Sequence, residues 1–230
     1  MPIQDYFTAM GGEFFTSPQE ITKKLQTIRA FVFDWDGVFN DSSKTTAGSP
    51  YSEVSSMGTN LLRFGYWYLH RQLPIVAIIT GENNQPAIQL AQRERFQAVY
   101  SKFTNKQIAL DHLCQTQQLL PEEIAFVYDD VLDLPIVRQV ALRMMVRRKA
   151  SPLFSKYVQE NQLVDYITAC EGQAHAVREV CELLLGLQDL YSTVVAKRGS
   201  FDAEYQQYLQ ERNSQTTAFF TVENQQVVPQ

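Results

Sequence analysis

The chain has 230 residues, enough for one large α/β domain or two small ones. Its 45% hydrophobic and 20% charged residues match globular averages and argue against wholesale disorder or a coiled coil. Lys and Arg number 20 against 25 Asp and Glu, so the net charge of −5 offers no basic excess for a phosphate backbone and argues against nucleic-acid binding.

The start, residues 1–15, carries Asp5 early and lacks a basic segment followed by an apolar one. It reads as no signal peptide. No run of about 18 apolar residues predicts a membrane span. Cys114, Cys170 and Cys181 are dispersed without CxxC spacing, which points to a reducing compartment and against a disulfide framework or cysteine-rich zinc site. A cytoplasmic protein is expected.

Ser17-Pro18-Gln19-Glu20 is a capping-box pattern with Pro at the first helical position, and predicts a helix over residues 18–29. Residues 30–33 form an apolar run that stops at Asp34. Residues 40–57 break the pattern with Ser, Thr, Gly and Pro. With a short strand expected over 51–54, they read as a β-hairpin or flap. Further apolar runs cover 75–79, ending at Thr80-Gly81; 124–128, ending at Asp129-Asp130; and 142–146, ending at Arg147-Arg148. Helical periodicity marks 60–70, 86–95, 106–117 and 134–140, and a long helix over 172–190. Beyond Lys197 the chain turns polar, with Tyr205, Tyr208 and Leu209 on a weak helical face, and the final QQVVPQ reads as frayed. One domain is expected over 1–195, followed by a helical or frayed tail over 196–230.

Alternating buried strands and amphipathic helices predict βαβ units in a Rossmann-like three-layer αβα sandwich around a parallel sheet. In such sheets ligands sit beyond the carboxyl ends of the strands, where every polar cluster above falls. Phe64, Tyr66, Trp67 and Tyr68 exceed what one core face of a short helix takes, so a subunit interface is expected there. His70, His112 and His175 share no ligand spacing.

Asp34 and Asp36, one residue apart at a strand end, make a costly like-charge pair unless a cation lies between them. Asp129 and Asp130 end another strand, so three or four carboxylates converge on one sheet edge. All-oxygen donors of this kind suit Mg²⁺ and not zinc. Thr80 and Gly81 offer a hydroxyl and an open backbone N–H for a phosphate oxygen. Lys106, at a helix start, offers a point charge to the same phosphate, with Lys102 a nearby rival.

In that order, Asp34-x-Asp36-Gly37-Val38, Thr80-Gly81, Lys106 and Asp129-Asp130-x-x-Asp133 resemble the four motifs of the haloacid dehalogenase superfamily. The stretches FVFDWDGVFND, AIITGEN, PEEIAFVYDDVLDLPIVRQV and GQAHAVREVCELLL are similar to its 3-deoxy-D-manno-octulosonate 8-phosphate phosphatase branch and sialic-acid-type relatives. The resemblance spans residues 28–190. It implies Asp34 as nucleophile, Asp36 as general acid and base, and Thr80 and Lys106 on the phosphoryl group. It implies Mg²⁺ held by Asp34, the Asp36 backbone carbonyl and Asp129. Asp130 is assigned to orient Lys106 or a metal-bound water, and Asp133 the same or a helix cap. Glu82, Asn83, Thr59 and Asn60 are the candidates for contacts to a sugar. The branch lacks a large cap and resembles homotetramers whose flap hairpin helps close a neighbouring site. A phosphatase of other small phosphates is the alternative, and a non-catalytic oligomerisation module a weaker one.

Several positions depart from the pattern. Ser56-Met57-Gly58 stands for Arg-Asp-Gly, Glu82 for Arg, Tyr128 for Gly, and His175 for Gly. Arg147-Arg148-Lys149 replaces an Ala-Asp-Ala-type stretch, and either binds an anion or is solvated surface. No catalytic group is lost, but several departures fall where the sugar is expected.

Overall fold

The computed structural model describes residues 1–46 and 48–230. Its strands are β1 (Glu13–Phe14), β2 (Ala30–Phe33), β3 (Ile75–Ile79), β4 (Ala98–Tyr100), β5 (Ile124–Tyr128), β6 (Leu142–Met145), β7 (Tyr166–Ile167), β8 (Ala218–Glu223) and β9 (Gln226–Pro229). Its helices are α1 (Ile3–Met10), α2 (Pro18–Leu25), α3 (Glu53–His70), α4 (Gln85–Glu94), α5 (Lys106–Gln117), α6 (Leu134–Val137), α7 (Pro152–Glu160), α8 (Ala176–Leu187), α9 (Tyr191–Ser200) and α10 (Ala203–Asn213). The strands form one sheet in the order β1-β7-β6-β5-β2-β3-β4-β8-β9. Strands β7 through β8 are parallel, while β1 and β9 add antiparallel edges, so the sheet is mixed and not wholly parallel.

Successive strand residues face opposite sides, so each apolar run feeds two cores. Phe31, Phe33, Val76, Ile78 and Val127 pack under α3 and α8. Ala30, Val32, Ala77, Ile79 and Phe126 pack with Leu110 and Leu113 of α5 and Ile136 of α6 on the other side. The three-layer sandwich follows. Helix α2 starts as its capping pattern predicts, with Ser17 Oγ accepting from the Glu20 N–H at 3.2 Å. It stops short of residue 29 because Arg29 is drawn into the sheet, its N–H donating to Glu123 O at 2.8 Å and its carbonyl accepting from Ile75 at 3.0 Å.

Register sets the site. Phe33 pairs with Ile78 on one side and Val127 on the other, so Asp34, Thr80 and Asp129 emerge on one edge. The Asp34 N–H donates to Val127 O at 2.9 Å, carrying strand pairing one residue into the motif.

The expected flap hairpin is absent: among the described residues no strand lies between β2 and α3. Ser52 caps α3 through a 3.1 Å bond from the Ser55 N–H, which turns the expected 51–54 strand into a helix start. Before it, Asn40 and Asp41 oxygens accept from the Ser42 and Ser43 N–H groups at 2.9 Å each, and such local bonds compete with a strand ladder.

The chain end is not frayed. It forms β8 and β9, and β8 extends the sheet beside β4. Part of the aromatic cluster packs within the chain, while Tyr66 and Tyr68 stay half-buried. Phe64 and Trp67 are fully buried, with Tyr205 and Tyr208 of α10 packed on Phe64 at ring-centroid distances of 5.0 and 5.3 Å. Among the described residues no helix is long and apolar enough to cross a membrane.

Candidate active site

Asp34 leaves the end of β2 and Asp129 the end of β5, each 5% exposed or less. Asn105 caps α5 by accepting from the Gln107 N–H at 3.3 Å, which brings Lys106 to the same edge. The Lys106 ammonium lies 2.5 Å from Asp34 Oδ1 and 2.6 Å from Asp133 Oδ1. The other Asp133 oxygen accepts from the Asp129 and Asp130 N–H groups at 3.4 and 3.3 Å. Of Asp130 and Asp133, only Asp133 pairs with Lys106. Asp133 orients Lys106, whereas Asp130 caps the short turn after β5 through a 2.7 Å bond from the Val131 N–H.

One carboxylate oxygen from each of Asp34, Asp129 and Asp133 lies within 4.8 Å of the others. Burial pushes the Asp34 carboxyl well up, Asp133 adds to this, and Lys106 offsets part of it. Burial, then Asp133, pushes Asp129 up to about 6, against the pull of Arg148. For Lys106, burial alone favours the neutral amine, but Asp133 and Asp34 hold it charged and above its ordinary value. Three buried carboxylates beside the Lys106 ammonium and the Arg148 guanidinium remain one positive charge short. The oxygen-only donor set and that deficit fit a hard divalent cation such as Mg²⁺.

Asp36 stands apart from this cluster. Its carboxylate accepts from Ser49 Oγ at 2.6 Å and Asn84 Nδ2 at 2.9 Å, and lies 2.8 Å from Lys44 Nζ. Asn84 Nδ2 also donates to Thr80 Oγ1 at 3.0 Å. The fully buried Thr80 hydroxyl accepts a second bond from the Glu82 N–H at 3.3 Å, so its own hydrogen is free to donate. Gly37, at φ +87°, admits no side chain, because a Cβ there would collide with Asp129 and Arg148.

A cavity of about 400 Å³ joins these groups, lined by Asp34, Asp36, Gly81, Lys106, Asp129 and Arg148 among others. Asp130, Asp133 and the exposed Glu82 also line it. Thr59, Asn60 and Asn83 do not. Thr59 Oγ1 donates to Ser56 O at 2.8 Å inside α3. Asn60 is tied to Glu94 and Tyr205 at 3.3 and 3.1 Å, beneath the C-terminal helices. Asn83 accepts from Gln230 at 3.4 Å.

Two departures also fall outside the cavity. Ser56 donates to Glu94 at 3.0 Å, and Tyr128 points into the sheet core, its hydroxyl on Leu163 O at 2.9 Å. Arg148 is part of the site, paired with Asp129 and 3.0 Å from Ser42 Oγ. Its place beyond β6, next to β5, was the available signal. Ser49 and Asn84 had no such signal, because their amide and hydroxyl meet Asp36 only in the fold.

No family model matches the chain. It is similar to the 3-deoxy-D-manno-octulosonate 8-phosphate phosphatase KdsC of Yersinia pestis, 30% identical over 172 residues, which is 74% of this chain and 86% of that protein. KdsC of Salmonella typhimurium is 33% identical over 172 residues, 74% of this chain and 85% of that one. Among solved structures, the Moraxella catarrhalis 3-deoxy-D-manno-octulosonate 8-phosphate phosphatase, in complex with magnesium ion, phosphate ion and KDO, matches with a TM-score of 0.63 and 26% identity, covering 80% of this chain and 99% of that chain. The Yersinia pestis phosphatase structure matches with a TM-score of 0.61 and 28% identity, covering 75% and 89%. By these similarities the chain belongs to the haloacid dehalogenase superfamily, in the KdsC branch of phosphoric monoester hydrolases.

Proposed function

We propose that the chain is a Mg²⁺-dependent phosphomonoesterase that hydrolyses a small phosphorylated sugar acid, of the 3-deoxy-D-manno-octulosonate 8-phosphate type, through an aspartyl-phosphate. The observation that carries this reading is the division of labour between two acids. Asp34 is locked by Lys106 beside Asp129 and Asp133, and Asp36 is held separately by Ser49 and Asn84.

An Asp34 oxygen attacks phosphorus and the bond from phosphorus to the leaving oxygen breaks, while Asp36 donates a proton to that oxygen. Water then attacks phosphorus, Asp36 takes its proton, and the bond to Asp34 breaks to release phosphate. Lys106, held charged by Asp133, neutralises the transferring oxygens, and Thr80 donates a hydrogen bond to them. Asp34, Asp129 and the Asp36 backbone carbonyl would hold Mg²⁺, which supplies charge neutralisation between the nucleophile and the phosphate dianion.

A second reading, a phosphatase of other small phosphates, is favoured by Glu82 at the cavity wall and by the half-exposed Val131 and Leu132 beside it. Cytoplasmic residence and assembly as a homotetramer extend the reading. Mass in solution tests the assembly.

The enzymatic test is phosphate release with Mg²⁺ from a panel of phosphorylated sugars, sugar acids and nucleotides, with Asp34→Asn and EDTA as controls. Rapid turnover of one eight- or nine-carbon sugar-acid phosphate supports the first reading. Slow turnover of many supports the second. No turnover of any by folded, Mg²⁺-loaded protein contradicts both.

A further inference from the structure

Strand β8 pairs with β4 in parallel, Tyr100 opposite Phe220, so its carboxyl end points to the catalytic edge. It then runs three residues beyond that pair, Thr221 to Glu223, before the turn at Asn224-Gln225. At about 3.3 Å per residue this carries the turn roughly 10 Å past the end of β4. There it faces the loop of residues 101–105, which leads into Lys106.

A cavity of about 340 Å³ lies between the turn and that loop, lined by Phe103, Thr104, Asn105, Val222, Asn224 and Gln225 with Ile108. Thr104 also lines the catalytic cavity, so the two adjoin. No lining residue of the second cavity is ionisable. Thr104, Asn224 and Gln225 are exposed, and among the described residues none of their side chains has a hydrogen-bond partner. Gln230, the last residue, donates to Asn83 at 3.4 Å and ties the hairpin to the loop after Thr80.

We propose that the β8–β9 turn and the Thr104-Asn105 loop form the subsite for the uncharged, hydroxyl-rich body of the substrate, a wall supplied by the chain's own C-terminal hairpin. Neutral amides and a hydroxyl donate to and accept from sugar hydroxyls, and the partly buried Ile108 and Val222 suit the C–H faces between them. A carboxylate finds no cation there. The proposal rests on the phosphatase reading.

Both turn residues sit in the left-handed region, at φ 49° and 63°. The double variant Asn224→Gly, Gln225→Gly therefore removes the amides and keeps the turn. The experiment measures kcat/KM with Mg²⁺ for 3-deoxy-D-manno-octulosonate 8-phosphate and for p-nitrophenyl phosphate, in wild type and double variant. The ratio of the first to the second is expected to fall about tenfold, through KM of the sugar substrate, as the loss of one or two hydrogen bonds implies. A ratio equal to wild type overturns the subsite, whatever happens to the absolute rates. A wild type that hydrolyses neither ester overturns the phosphatase reading, and the subsite with it.

Discussion

Asn84 joins two groups that the proposed mechanism sets at opposite ends of the reacting bond. Its amide holds the Asp36 carboxylate and the Thr80 hydroxyl together, and it is 1% exposed. Asn84→Ala is expected to lower kcat by about tenfold or more with KM little changed, because Asp36 loses its set position and not its chemistry. Steady-state kinetics on a sugar phosphate reads this directly. Such a role is invisible in sequence, where Asn84 is one polar residue in a loop. Asp34 and Asp129 were legible because each follows an apolar run, and strand ends meet in space. The roles of Asp130 and Asp133 were not, since spacing places both near Lys106. Which one reaches it depends on the turn after β5, where Asp130 is spent on the cap.

The strands and helices with unbroken apolar periodicity were legible almost to the residue, as Ala30–Phe33, Ile75–Ile79, Ile124–Tyr128 and Lys106–Gln117 show. The 51–54 strand failed to local capping by Ser52, whereas β8 and β9 were missed because their partner lies far along the chain. β8 and β9 carry a short polar-apolar pattern that reads as a tail until β4 offers an edge. The same extension buries Tyr208 completely beside Phe64 and Trp67. Tyr208→Ala is expected to cost about 3–5 kcal/mol, as for large aromatic side chains deleted from a core, measured by urea unfolding.

A second long-range tie lies at the opposite side of the sheet. Asp165, fully buried, accepts from Thr16 at 2.5 Å, Lys24 at 2.6 Å and Arg143 at 2.8–3.0 Å, joining α2, β6 and the start of β7. Burial raises its pKa, but the bonds from Arg143, Lys24 and Thr16 outweigh burial and hold it below the usual carboxylate range. A folded pKa below the unfolded value near 3.9 gives stability that is present above that pH and lost as pH falls through the folded value. Asp165→Asn is expected to cost about 3 kcal/mol at neutral pH. The gap to wild type should narrow below about pH 4, and unfolding curves across pH measure it.

Across the whole molecule, one sheet edge concentrates negative charge in a chain that is already at −5. Buried Asp34, Asp129 and Asp133 share only Lys106 and Arg148, so metal binding is expected to stabilise the fold. Mg²⁺ at a hundred times its dissociation constant should add about 2.7 kcal/mol, lost on adding EDTA and in Asp129→Asn, as read from thermal melts. The central claim is that Asp34 carries the phosphoryl group. The most direct measurement is peptide mapping by mass spectrometry after acid quench of Asp36→Asn with p-nitrophenyl phosphate and Mg²⁺. That leaving group departs without a donated proton, whereas the later attack by water lacks its base, so the intermediate accumulates. The account predicts a phosphoryl group on Asp34, absent when Asp34 is also replaced by Asn. Turnover with a phosphoryl group on any other residue, or with none on Asp34, would contradict it.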